Sequence, residues 1–175
     1  MKTDMKAKLR RHEMCIGTHV SLNEAVVTEM MGYLPYDYLW IDMEHSVINT
    51  ERLLGQLIAA RASGINAIVR IPANDPILAK PVLDAGADGI VFGFLKPDGT
   101  VDTDRCADFI GKTKKINPNA EIVFNSAIDL VQDIFKALDD LIALGVTRVL
   151  TSGQRESAIK GAKTVKKMIE YASDR

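Results

Sequence analysis

The residues best suited to chemistry lie in Asp42-Met-Glu-His45, directly after a short apolar run. A carboxylate and an imidazole three positions apart at a strand end can act together. Asp42 would orient His45, and an imidazole so held can move protons near neutral pH. Glu44 would face the same mouth. The alternative is a strand-end histidine satisfied by a local hydrogen bond. Arg70 closes a second run, Ile68-Val-Arg-Ile-Pro72. A cation at the end of a buried strand is costly without a partner. One partner is a small carboxylate ligand gripped by two parallel hydrogen bonds. The other is a neighbouring acid, such as Glu44 or Asp84. Asp84 precedes a strand rather than following one, so it reads as structural.

Six apolar, β-branched runs would position these groups: residues 14–19, 37–42, 66–71, 88–93, 121–125 and 147–151. Runs apolar on both faces are typical of strands in a parallel sheet. The segments between them are long enough for one crossover helix each. Ser21-Leu-Asn-Glu24 has the pattern of a capping box ahead of a helix. Leu53, Leu54, Leu57 and Ile58 form one helical stripe, and Val131, Ile134, Phe135, Leu138, Leu141 and Ile142 another. Gly64, Gly86 and Gly145 each stand just before a strand, a weak repeat of the helix-to-strand joint. The N-terminal Met1–Arg11 reads as a short charged helix.

The predicted fold class is α/β, a parallel (β/α) TIM-barrel-type fold. It is incomplete, with about six βα units in a single domain. Polar residues gather where strands end (Asp42, Glu44, His45, Arg70, Asn125, Thr151), which is the chemical face of a barrel. A doubly wound nucleotide binder would need a glycine-rich loop after its first strand. Gly17-Thr-His-Val-Ser-Leu22 does not supply one.

Net charge is -1 and charged residues make up 26% of the chain. That balance offers no basic face for nucleic acid or an anionic membrane. No run approaches a membrane span, and the charged start lacks a signal peptide's apolar core. With two cysteines and no metal-type spacing, a cytoplasmic location is expected.

Tyr36-Asp-Tyr-Leu-Trp-Ile-Asp-Met-Glu-His45, Ile68-Val-Arg-Ile-Pro-Ala-Asn-Asp75 and Leu83-Asp-Ala-Gly-Ala-Asp-Gly-Ile90 resemble the HpcH/HpaI 2-oxo-acid aldolase family. The resemblance covers residues 13–92. It implies a class II-type carbon–carbon lyase releasing pyruvate or a similar small 2-oxo acid. His45 with Asp42 would transfer the proton, and Arg70, with Glu44 beside it, would bind substrate. It also implies a divalent cation, Mg2+ or Mn2+, held by a Glu ending strand five and an Asp after strand six. Here strand five ends at Asn125 and strand six at Thr151. Glu44 and Asp129 are weak substitutes, so the metal site is expected to be lost.

From residue 88 to 172 the chain is similar to the CutC copper-homeostasis family. The carriers are Gly93-Phe-Leu-Lys-Pro-Asp-Gly-Thr-Val-Asp102, Phe124-Asn-Ser-Ala-Ile-Asp129, Ala137-Leu-Asp-Asp-Leu-Ile-Ala-Leu-Gly145 and Arg148-Val-Leu-Thr-Ser-Gly-Gln154. That family usually has His-Arg where Asn125-Ser126 stands. Residues 1–92 thus form an aldolase-like part and 93–175 a CutC-like part, with the seam in Gly86–Gly93. Natural recombination, an engineered chimera and a degraded gene are all compatible origins. The alternative function is a non-catalytic CutC-like barrel or a scaffold. Copper is not expected, because Met14, Cys15 and His19 are the sole soft-ligand grouping and suit core packing as well. Six strands leave two apolar sheet edges, so a homo-oligomer is expected.

Overall fold

The computed structural model describes residues 5–11 and 13–173. Its order is α1 (Met5–Arg10), β1 (Gly17–Val20), α2 (Ala25–Gly32), β2 (Tyr38–Asp42), α3 (Thr50–Ser63), β3 (Asn66–Arg70), α4 (Pro76–Asp84), β4 (Gly89–Phe92), α5 (Thr103–Ile116), β5 (Glu121–Phe124), a 3-10 turn (Ser126–Leu130), α6 (Ile134–Ala143), β6 (Arg148–Val149) and α7 (Ala158–Ala172). All six strands are parallel and pair in chain order, β1-β2-β3-β4-β5-β6. The result is a curled half-barrel with a helix after each strand. The leading helix is found from Met5; residues 1–4 of that expectation lie outside the described residues.

Local chemistry sets the helix boundaries. Asn49, Asp75, Asp102, Asp133 and Ser157 each accept a hydrogen bond from the first turn of the helix that follows. These bonds satisfy donors that the helix itself cannot. The expected capping box fails at α2. Glu24 holds the cap position without a side-chain bond, and Ser21 lies further back in the loop. The glycine repeat is real: Gly64, Gly86 and Gly145 have φ of 78°, 97° and 74°. Each reverses the chain between helix and strand in a conformation that a side chain disfavours.

Alternation along the strands separates two cores. Leu39, Ile41, Val69, Ile90, Phe92, Ile122 and Phe124 face the helices in the larger cluster. Ile68, Val91 and Val123 face the concave side, where Tyr38 and Trp40 join them. Met5 of α1 is fully buried in that inner cluster and fills the end of the sheet at which strands begin. The curl brings the two edges close together. Cys15, just before β1, and Leu150, just after β6, line one inner cavity.

Small residues make the curl possible. A Cβ on Gly17 would lie 2.4 Å from the Tyr38 ring, and one on Gly93 would lie 2.1 Å from Asn125 Oδ1. Both glycines let a neighbouring strand's side chain cross the inner surface.

Candidate functional site

Asp42 is the last residue of β2 and has no solvent exposure. Pairing of β2 with β3 sets it opposite Arg70. The guanidinium grips the carboxylate through Nε to Oδ1 at 2.9 Å and Nη2 to Oδ2 at 2.5 Å. The backbone N–H groups of Glu44 and His45 also donate to Oδ1, at 3.0 and 3.2 Å. The chain therefore turns around the carboxylate, and Ser46 Oγ closes the turn onto the Asp42 carbonyl. Burial alone would raise the Asp42 pKa. Arg70 and the two N–H donors outweigh it and bring the group down to about 2,. The same pairing holds the Arg70 pKa above its ordinary value.

Two imidazoles face the other carboxylate oxygen. His19 Nε2, from β1, stands 3.3 Å from Asp42 Oδ2. His45 Nδ1 stands 3.8 Å from the same atom and 3.5 Å from Glu44 Oε2. Glu44 Oε2 in turn lies 3.4 Å from Arg70 Nε. A cavity of about 370 Å3 opens beside this group, lined by Gly17, His19, Tyr38, Trp40, Arg70 and Leu150. The Trp40 ring centre is 5.9 Å from the Arg70 guanidinium carbon, a cation–π distance,. Asn74 supports the rim of the site. Its side chain receives the Gly93 N–H at 3.1 Å and donates back to the Gly93 carbonyl.

The structure thus brings together Asp42, Glu44, His45 and Arg70. The pairings within the group are specific. Arg70 is paired with Asp42, with Glu44 second, whereas Asp84, at the end of α4, forms an exposed pair with Lys80. The imidazole nearest Asp42 is that of His19, not His45. No motif marks His19. Only the strand register, with His19 beside Trp40, places it here.

The metal ligands considered in sequence do not form a site. Asp129 is saturated: Thr151 Oγ1 and Gln154 N donate to Oδ1 at 2.5 and 2.8 Å, and Ser152 N and Oγ donate to Oδ2 at 2.7 and 3.1 Å. It clamps the loop between β6 and α7. Asn125 Oδ1 caps the 3-10 turn by accepting from Ala127 N at 2.9 Å. Glu44 shares its carboxylate with His45 and Arg70. Among the described residues no group of three or more His, Cys, Asp or Glu side chains is arranged for a metal ion. The donor set does not fit the divalent cation implied by the aldolase resemblance.

Residues 16–106 match the HpcH/HpaI aldolase/citrate lyase family, and residues 73–175 match the CutC family. The overlap, 73–106, encloses the expected seam. A CutC family protein of Treponema denticola is 54% identical over 97 residues, 55% of this chain and 38% of that protein. The copper homeostasis protein cutC homolog of Homo sapiens is 40% identical over 90 residues, 51% of this chain and 32% of its own length. The 5-keto-4-deoxy-D-glucarate aldolase of Klebsiella pneumoniae is 36% identical over 92 residues, 53% of this chain and 34% of its own length. The chain therefore spans only about a third of the length of these relatives, 32% to 38%. Two solved structures share the fold. The CutC protein of Streptococcus agalactiae has a TM-score of 0.76 at 18% identity, covering 92% of this chain and 84% of that one. An HpcH/HpaI family protein of Burkholderia cenocepacia has a TM-score of 0.74 at 19% identity, covering 97% and 80%. The chain belongs to both families, to the HpcH/HpaI aldolase/citrate lyase family through residues 16–106 and to the CutC family through residues 73–175.

Proposed function

We propose that this chain is a carbon–carbon lyase-type barrel that retains the substrate-binding and proton-transfer half of an aldolase site and lacks its metal half. The observation that carries the reading is the Asp42–Arg70 pair at the mouth of a cavity, with two imidazoles against Asp42 Oδ2. Asp42 occupies Arg70 through Nε and Nη2. The N–H groups on Nη1 stay available for the carboxylate of a small 2-oxo acid. An imidazole oriented by Asp42 exchanges a proton with the carbon beside the oxo group. Glu44 lies at the rim and modulates the charge around Arg70. No step is assigned to a metal, because the donors present do not form a site for one.

The experiment is a titration with pyruvate, with and without Mn2+. Trp40 is the sole tryptophan and lines the cavity, so its fluorescence reports binding. Saturable binding of pyruvate that is independent of Mn2+ and lost in Arg70→Ala supports the reading. Absence of pyruvate binding overturns it. That result leaves the second reading, a non-catalytic CutC-like barrel, which the 54% identity to the Treponema denticola protein favours.

A further inference from the structure

We propose that the inner cavity between Cys15 and Leu150 is a binding site for a small aromatic carboxylate, held through Arg148. The proposal goes beyond the reading above and does not depend on it.

Size and lining set the ligand class. The cavity encloses about 220 Å3. An apolar cavity of roughly 150 Å3 takes up benzene. There is room here for one ring and one carboxyl group. Leu9, Ile68 and Val123 give apolar walls, and Tyr38 and Trp40 supply aromatic rings against which a ligand ring packs,. A pocket that is mostly apolar, with one group to fix orientation, is the usual form of a small-molecule site.

Arg148 is that group. It is the one charged side chain among the described residues that line the cavity. The side chain is 23% exposed. Among the described residues its guanidinium makes one hydrogen bond, from Nη2 to Glu121 Oε2 at 3.1 Å. Nε is buried and has no partner. A guanidinium carries five N–H donors, and a buried one left unpaired is a net cost. A purely structural tie between β5 and β6 would use the planar fork fully, as Arg70 does with Asp42 through Nε and Nη2. Here the fork is half used. A ligand carboxylate takes the donors that Glu121 leaves free.

No other group competes for that role. Burial pushes the Cys15 thiol pKa up, so at neutral pH the sulfur is uncharged,. Strand register keeps the site apart from the Asp42 group. Arg70 stands opposite Val91, Val91 opposite Val123, and Val123 opposite Arg148. The two arginines therefore share one level of the concave face with two valine-bearing strands between them. Each lines its own cavity, and Tyr38, Trp40 and Leu150 form the common wall.

The test is calorimetric titration with benzoate and with its neutral isostere benzamide. The proteins are the wild type, Arg148→Met, and the double variant Arg148→Met with Glu121→Gln, which leaves no unpaired carboxylate. The wild type is expected to bind one benzoate, at least ~10-fold more tightly than benzamide. Both variants should lose that preference and keep the benzamide affinity. Saturating benzoate should also slow labelling of Cys15 by a thiol reagent, because Cys15 lines this cavity and not the one at Arg70. Absence of benzoate binding, equal wild-type affinities for the two ligands, or undiminished Cys15 labelling overturns the proposal. So does a benzoate preference that survives in the variants. Loss of benzamide binding in both variants, or their failure to fold, would make Arg148 a structural clamp and overturn it too. Pyruvate plays no part in these measurements, so the lyase reading stands or falls separately.

Discussion

Asp42 and Arg70 are opposed residues on neighbouring parallel strands, and their side chains close a two-bond ion pair across the ladder. The Asp42 side chain is 1% exposed and that of Arg70 19%. The pair is therefore structural before it is functional. It holds the turn after β2 and fixes the plane of the guanidinium against Trp40.

Removal of one partner should cost far more than removal of both. Arg70→Met leaves a buried carboxylate uncompensated, which costs about 3–5 kcal/mol. The double variant Asp42→Leu with Arg70→Met is expected to regain much of that loss. Urea unfolding of the two single variants and the double variant measures the coupling. Additive losses would show that the pair contributes nothing as a unit.

Acid should unlock the same pair. The Asp42 pKa is lowered from 3.8 to about 2 in the folded chain. A depressed carboxylate stabilises the fold fully above its unfolded value. The contribution fades as pH falls from about 4 to about 2, and amounts to about 2 kcal/mol. Unfolding midpoints across that window should fall more steeply for the wild type than for Asp42→Asn. Parallel slopes would remove Asp42 as the cause.

The sheet and its order were legible because six β-branched runs alternate with helical stripes. The edges were less so. Residues 14–16 are apolar like a strand, yet Ile16 is held by Asp37, whose carboxylate receives its N–H and whose own N–H binds the Ile16 carbonyl. A side chain replaces the ladder there, and pattern alone does not show it. At the far edge the strand proper is Arg148–Val149, and the flanking Thr147 and Leu150 N–H groups donate to the carbonyls of Ile122 and Phe124. In the site, Asp42, Glu44, His45 and Arg70 were visible as polar residues ending buried strands. The partner of Arg70 and the presence of His19 depend on register, which spacing along the chain does not specify.

Asp129 should prove structural. Its four donors span Thr151 to Gln154, and Gln154 has a φ of 58°, the left-handed region that side chains disfavour,. Asp129→Asn replaces one acceptor with a donor facing other donors. The expected cost is about 1–3 kcal/mol. Amide exchange over residues 151–154 should accelerate while the Asp42 turn stays protected. Unchanged exchange in that loop would refute the clamp.

The chain is expected to self-associate. Strands β1 and β6 each pair on one side only. Beside β1, Met14 and Ile16 are exposed, and beside β6 so is Leu150. An apolar groove of about 360 Å3 between α6, β6 and α7 adds Leu138, Val165 and Met168, with exposed Ile169 at its margin. Unpaired strand edges flanked by apolar side chains recruit further chains. A second copy offers both a matching edge and matching side chains. Light scattering should give a mass at least twice that of the 175-residue chain. Ile16→Lys with Leu150→Lys, charges set on both edges, should shift the assembly towards the monomer. A monodisperse wild-type monomer at high concentration, unfolding at a midpoint independent of concentration, would show that the curl alone is enough to protect the edges.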